Sequence, residues 1–189
     1  MEALLHLIFT LIKISILSCI YAAIILVVFR IIGSYKPNSW FNRVSKKKLR
    51  LWFRCGFIIS VSLFIFTFTY FGNHGLGDSA RVPVGHWKAV KEINGTQAYI
   101  QDEGPVSAIE IDRFLVTDNF VYGIASDSNE NYEGKFFVYD LANNIVTTFT
   151  NVKEYFNFLK TNNLKNNDYK DFRYYYSQYW HGLRFWLLP

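Results

Sequence analysis

From Cys55 to Gly77 the chain runs 23 residues without one Asp, Glu, Lys or Arg. As a helix this stretch covers roughly 34 Å, enough to cross a hydrocarbon core roughly 30 Å thick. A second apolar stretch lies upstream, with 16 uncharged residues between Lys13 and Arg30. That is roughly 24 Å of helix, and the long stems of Lys13 and Arg30 can carry their charges toward a headgroup layer. Two such stretches constrain the fold more than any other feature, because they predict a transmembrane hairpin.

Charge orients the hairpin. Residues 33–54 hold seven cations and no acid, including Arg43, Lys46, Lys47, Lys48, Arg50 and Arg54. A short loop with this bias stays in the cytoplasm, so these six residues are read as topology-determining. Both termini are then extracytoplasmic. A cleaved leader is not expected, since the first apolar stretch is long and has no basic start. The net charge of +5 is unevenly placed. Residues 1–72 carry nine Lys or Arg against Glu2 alone, whereas residues 73–189 carry eleven against fourteen acids. The basic excess therefore belongs to the membrane part, and no nucleic-acid partner is expected.

Ser15, Ser18, Cys19 and Ala22 recur at helical spacing and form a small-residue face on the first span. Gly56 and Ser60 offer a matching step on the second. Such faces let helices approach closely in lipid, either each other or a membrane subunit. The two cysteines both lie at the spans, so residues 73–189 have no thiol with which to form a disulfide.

Residues 73–189 read as one domain. KAVKEINGTQAYI predicts a hairpin turning at Asn94-Gly95, as a two-residue type I′ turn. IEIDRFLV, FVYGIAS, KFFVYD and IVTTFT follow as further strands, and NHGLGDSARVP reads as a hinge. Val152, Tyr155, Phe156 and Leu159 form a helical stripe behind an Asn151 cap. Phe172, Tyr175, Tyr176 and Tyr179 form another, on a helix expected to start at Asp168. The expected fold is a membrane protein of the α+β class. A two-helix transmembrane hairpin is followed by an exported antiparallel β-meander of about six strands with two C-terminal helices. Its parts are residues 1–72 (spans about 7–32 and 54–72, basic loop 33–53) and the extracytoplasmic residues 73–189.

Chemistry is sparsely signalled. His74, Asp78 and His86 could supply three zinc ligands, but their spacing matches no metal motif, and neither metal nor other cofactor is expected. Glu110 and Asp112 alternate with Ile109 and Ile111, which is the wet face of a half-buried strand. Tyr174 and Trp180 fall off the centre of their stripe and are the expected partner-binding residues. The expected function is protein binding without catalysis at the lipid bilayer, as in an immunity protein against a toxin or an accessory subunit of an envelope complex. The alternative is a membrane-tethered periplasmic hydrolase or metal-dependent enzyme. Small size, Asn/Ile/Lys/Phe/Tyr-heavy usage and no exported Cys place the chain in a bacterial inner membrane. A phosphatase fused after Pro189 should be active, and one fused near Lys47 inactive; the reverse pattern would overturn the topology.

Overall fold

The computed structural model describes residues 2–72, 79–93, 95, 97–100, 108–126 and 135–189. The chain divides into two compact units, Met1–Gly77 with Gly182–Pro189, and Asp78–His181. Each is described by itself.

The first unit is helical. Helix α1 spans Glu2–Tyr35, α2 spans Trp40–Ser45 and α3 spans Lys48–Thr67. Both α1 and α3 are long and apolar enough to cross a membrane. They pack where side chains are smallest: a Cβ added to Gly56 would stand 3.7 Å from the Cβ of Ala22. Ser18 and Ala22 are buried, but Ser15 and Cys19 are exposed, so the small-residue face is split. The packed face of α1 is centred on Ile14, Ser18 and Ala22, a rotation that buries larger side chains beside the small ones.

Helix α3 starts six residues before the expected span and ends five short of it. Its first two turns therefore carry Lys48, Arg50 and Arg54, while Arg43 sits in α2. Ser39 caps α2 by accepting from the Asn42 N–H. The ring of Phe29 meets Trp40 and Phe41 edge-on at 5.8 and 5.1 Å and ties α2 to α1. Helix α6, Leu183–Leu187, completes the unit and is one helix more than expected at the C-terminus. Its Leu187 carbonyl accepts from the Tyr21 hydroxyl at 2.6 Å, and the Lys13 Nζ lies 4.6 Å from the Phe185 ring centroid.

The second unit is a seven-stranded antiparallel sheet in strict sequence order. Its strands are β1 (Ser79–Gly85), β2 (Lys88–Ile93), β3 (Gln97–Ile100), β4 (Ile109–Val116), β5 (Phe120–Ala125), β6 (Phe136–Asp140) and β7 (Ile145–Phe149). The seventh strand beyond the expected six is β1, which the hinge reading of NHGLGDSARVP conceals. Pro83 disguises it, but an edge strand tolerates a missing N–H. The β2–β3 register pairs Ile93 with Gln97 and leaves three residues between them, where a type I′ turn needs two. Gly95 still takes a positive φ of 68°.

Alternation along the strands builds a core on each face. Val121, Phe137 and Tyr139 join Val82, Val90, Ile100 and Ile109 in the larger core. Their neighbours Tyr122 and Val138 enter the smaller one with Tyr155 and Leu159. A bulge in β4 between Ile111 and Arg113 shifts its parity, so Phe114 as well as Ile109 and Ile111 reaches the larger core. Beside the bulge, β5 needs glycine: a Cβ at Gly123 would stand 2.1 Å from the Arg113 carbonyl oxygen.

Helix α4, Val152–Thr161, covers the smaller core, with the Asn151 side chain accepting from the Lys153 N–H. Only Tyr155 and Leu159 of its expected stripe are buried; Val152 and Phe156 are exposed. The helix ends in a Schellman motif, Leu164 N–H to Leu159 carbonyl, around Asn163 at φ 54°. The Tyr155 hydroxyl stands 3.0 Å from that of Tyr169, and burial pushes its pKa far up. Helix α5, Phe172–Tyr179, is capped by Asp171 and not by Asp168. Lys170 exchanges backbone hydrogen bonds with Phe114, so the chain stays extended there and cannot coil sooner. From α5, Phe172 enters the larger core and Tyr175, Tyr176 and Tyr179 pack on it. The Tyr175 ring stacks on Phe114 at 4.6 Å, and burial pushes its pKa up to about 12.

Gly123→Ala should cost about 3 kcal/mol, since no neighbouring backbone can yield 1 Å. Gly95→Val should cost about 1 kcal/mol, because its Cβ meets nothing and only the positive φ resists. Denaturant titration of the full chain in detergent checks both; equal losses would remove the close approach at Gly123.

Candidate functional site

Strands β1 and β2 meet in a turn that no turn residue announces. Gly85 pairs with Lys88, so the two-residue tip is His86-Trp87. Both take positive φ, 48° and 59°, and Gly85 before them stands at 104°. These are the angles of a type I′ turn, which favours Asn-Gly because side chains crowd the backbone there. Holding an imidazole and an indole in this region costs on the order of 1 kcal/mol each. Trp87 is nonetheless 76% exposed, so the strain places the largest apolar side chain in solvent and does not bury it.

The base of the tip lies close to two other turns. A Cβ on Gly85 would stand 3.8 Å from the Asp118 carbonyl oxygen and 4.0 Å from the Leu141 side chain. The β1–β2 tip thus lies against the β4–β5 and β6–β7 turns. In the latter, Asp140 accepts at Oδ1 from the Ala142 and Asn143 N–H groups, both at 3.0 Å, and at Oδ2 from Asn143 Nδ2 at 2.8 Å. The Asn143 side chain first, then these backbone donors, hold the Asp140 carboxyl below its ordinary pKa, and the charge of His86 adds to the effect. Tyr139 donates to Asn144 Oδ1 at 2.6 Å and closes the turn, with Asn144 at φ 58°. A carboxylate already holding three donors is a structural anchor. The arrangement presents a fixed exposed indole beside an imidazole, which is suited to contact.

A polar row crosses β1–β4 through the paired residues Arg81, Lys91, Tyr99 and Glu110. None of the four belongs to either core. Partial burial lowers the pKa of Lys91, and Arg81 opposite lowers it further. Burial raises that of Tyr99, against the pull of Arg81.

The residues singled out from sequence fare unequally. Tyr174 is 43% exposed on α5, with the Lys170 Nζ 5.3 Å from its ring centroid. Trp180 is only 9% exposed, edge-on to Tyr179 at 5.3 Å, and offers no open anchor. The reason is register: Phe172, Tyr176 and Trp180 follow at steps of four, so Trp180 continues the inward stripe. His86 is exposed in the tip, while His74 and Asp78 lie outside the described residues. Among the described residues no three His, Cys, Asp or Glu side chains are grouped to hold a metal ion. The sequence reading missed Trp87. Its only signal was Gly85, followed by two non-turn residues between alternating runs. No family model, curated protein or solved structure matches the chain.

Proposed function

We propose that the chain is a membrane-anchored protein whose extracytoplasmic sheet unit binds another protein and performs no chemistry. An immunity protein facing a toxin in the envelope, or an accessory subunit of an envelope complex, would both fit. The anchor reading is supported by two helices of sufficient length and hydropathy and by the cation-rich segment between them. The observation that carries the binding reading is the strained, exposed His86-Trp87 tip. Backbone strain at an exposed residue supports a functional reading of that position. Tryptophan is among the residues that most often anchor protein interfaces. Tyr174 and Phe156 are further exposed aromatics on this unit. Anchoring confines the binding surface near partners in the same envelope and raises its effective concentration.

Replacing the tip by the relaxed turn pair, His86→Asn with Trp87→Gly, separates fold from function. Stability should rise by about 1 kcal/mol as the strain is released. Partner capture, followed by a photoreactive residue at position 145 or 174 in intact cells, should fall by about thirtyfold, the loss of a hot spot. A variant that captures the same proteins as the parent would refute Trp87 as the anchor.

A further inference from the structure

A cavity of about 480 Å³ opens between the end of α1, α2 and the first turns of α3. Four cations line it: Arg43 from α2, and Lys47, Arg50 and Arg54 along one face of α3. Its other walls are apolar, formed chiefly by Phe29, Trp40 and Leu51. Three local rules of helix stability are broken at this one place. The N-cap position of α3 is Lys47, which makes no side-chain capping hydrogen bond. No acid stands in the first turn, where Lys48 and Arg50 instead oppose the helix dipole. Arg50 and Arg54 repel each other at a spacing of four. Nor can the unit neutralise itself, for its ten Lys and Arg face a single acid, Glu2, at the far end of α1.

One anion would relieve the two electrostatic defects. It would lie among guanidinium forks shaped for phosphate, offset the repulsion between Arg50 and Arg54 and counter the positive charge that opposes the dipole. The apolar walls reject a fully hydrated ion and fit a ligand with a hydrocarbon side. The volume falls within the range of small-molecule sites. We propose that this cleft binds the phosphate headgroup of an anionic phospholipid, with Trp40 and Leu51 against its acyl-glycerol end. The proposal rests on the reading of α1 and α3 as membrane spans. On that reading the cleft lies at the cytoplasmic headgroup layer, where basic pockets between helices select anionic lipids.

The experiment has two stages. First, the full chain in native membranes is washed with alkaline carbonate; release into the supernatant would sink the membrane reading and this proposal with it. Retention is expected. Second, the full chain in a neutral maltoside is titrated with phosphatidylglycerol, phosphatidylcholine or inorganic phosphate, with binding read by native mass spectrometry. Phosphatidylglycerol should bind at least about tenfold more tightly than phosphatidylcholine, and Arg43→Gln/Arg50→Gln/Arg54→Gln should abolish that preference. Lys46→Gln/Lys48→Gln, exposed cations outside the cleft, should retain it within about twofold. Should the triple variant fail to fold, Arg43→Gln alone should weaken binding by about fivefold. Equal binding of the two lipids, equal loss in the Lys46/Lys48 control, or inorganic phosphate displacing the lipid at millimolar concentration would each overturn the assignment.

Discussion

The bulge in β4 is the constraint on which most of the sheet unit turns. Without the extra residue between Ile111 and Arg113, strict alternation would send Phe114 to the opposite face from Ile109 and Ile111. With it, Phe114 enters the larger core, completely buried, and its ring becomes the floor on which Tyr175 stacks. The backbone of Phe114 also holds Lys170, which fixes where α5 begins. Gly123 is the counterpart of this distortion, since only a residue without Cβ fits beside the displaced Arg113 carbonyl. One inserted residue thereby sets the content of the core, the start of a helix and the identity of a glycine on the next strand.

That dependence explains what was legible in the sequence. Period-two runs marked β2 to β7, and period-3.6 stripes marked α4 and α5, because each pattern is local. The face that α5 buries was readable for the same reason. What escaped depends on contacts distant in sequence. Asp168 and Asp171 are equally good caps locally, and only the bridge from Phe114 decides between them. Strand β1 hid behind Pro83, whose tolerance rests on its place at the sheet edge. The His86-Trp87 tip contradicts turn propensities outright. Failures of local rules are expected where a position serves something besides folding, and the start of α3 fails them in the same manner.

The two departures differ in kind. At the β1–β2 tip the strain is conformational and lies in the backbone, supported from below by the saturated Asp140 turn. At the start of α3 the cost is electrostatic and depends on surroundings, for it vanishes when a negative charge is supplied. A polypeptide with fourteen acids among residues 73–189 has placed only Glu2 in the helical unit, at the opposite end of α1 from the cleft. On the proposed reading an anionic headgroup layer furnishes the negative charge without any further element of the chain.

The C-terminal tail follows the same logic of medium and partner. Helices α1 and α3 leave Ile16, Ile20, Ile24, Phe57 and Ile65 exposed, a liability in water and a match to hydrocarbon. Polar groups among such residues then need partners within the protein. Tyr21 finds one in the Leu187 carbonyl, a last-turn acceptor with no donor inside its own short helix. Lys13 finds the face of Phe185, a contact that strengthens as water is withdrawn. The exposed Trp186 beside them is of a residue type that collects at a membrane interface. The tail therefore belongs with the anchor by chemistry as well as by contact. The sheet unit is consequently joined to the helical unit at both of its ends, after Gly77 and before Gly182. On the proposed reading, anchoring favours repeated engagement of a partner fixed in the same membrane over capture of one that diffuses freely.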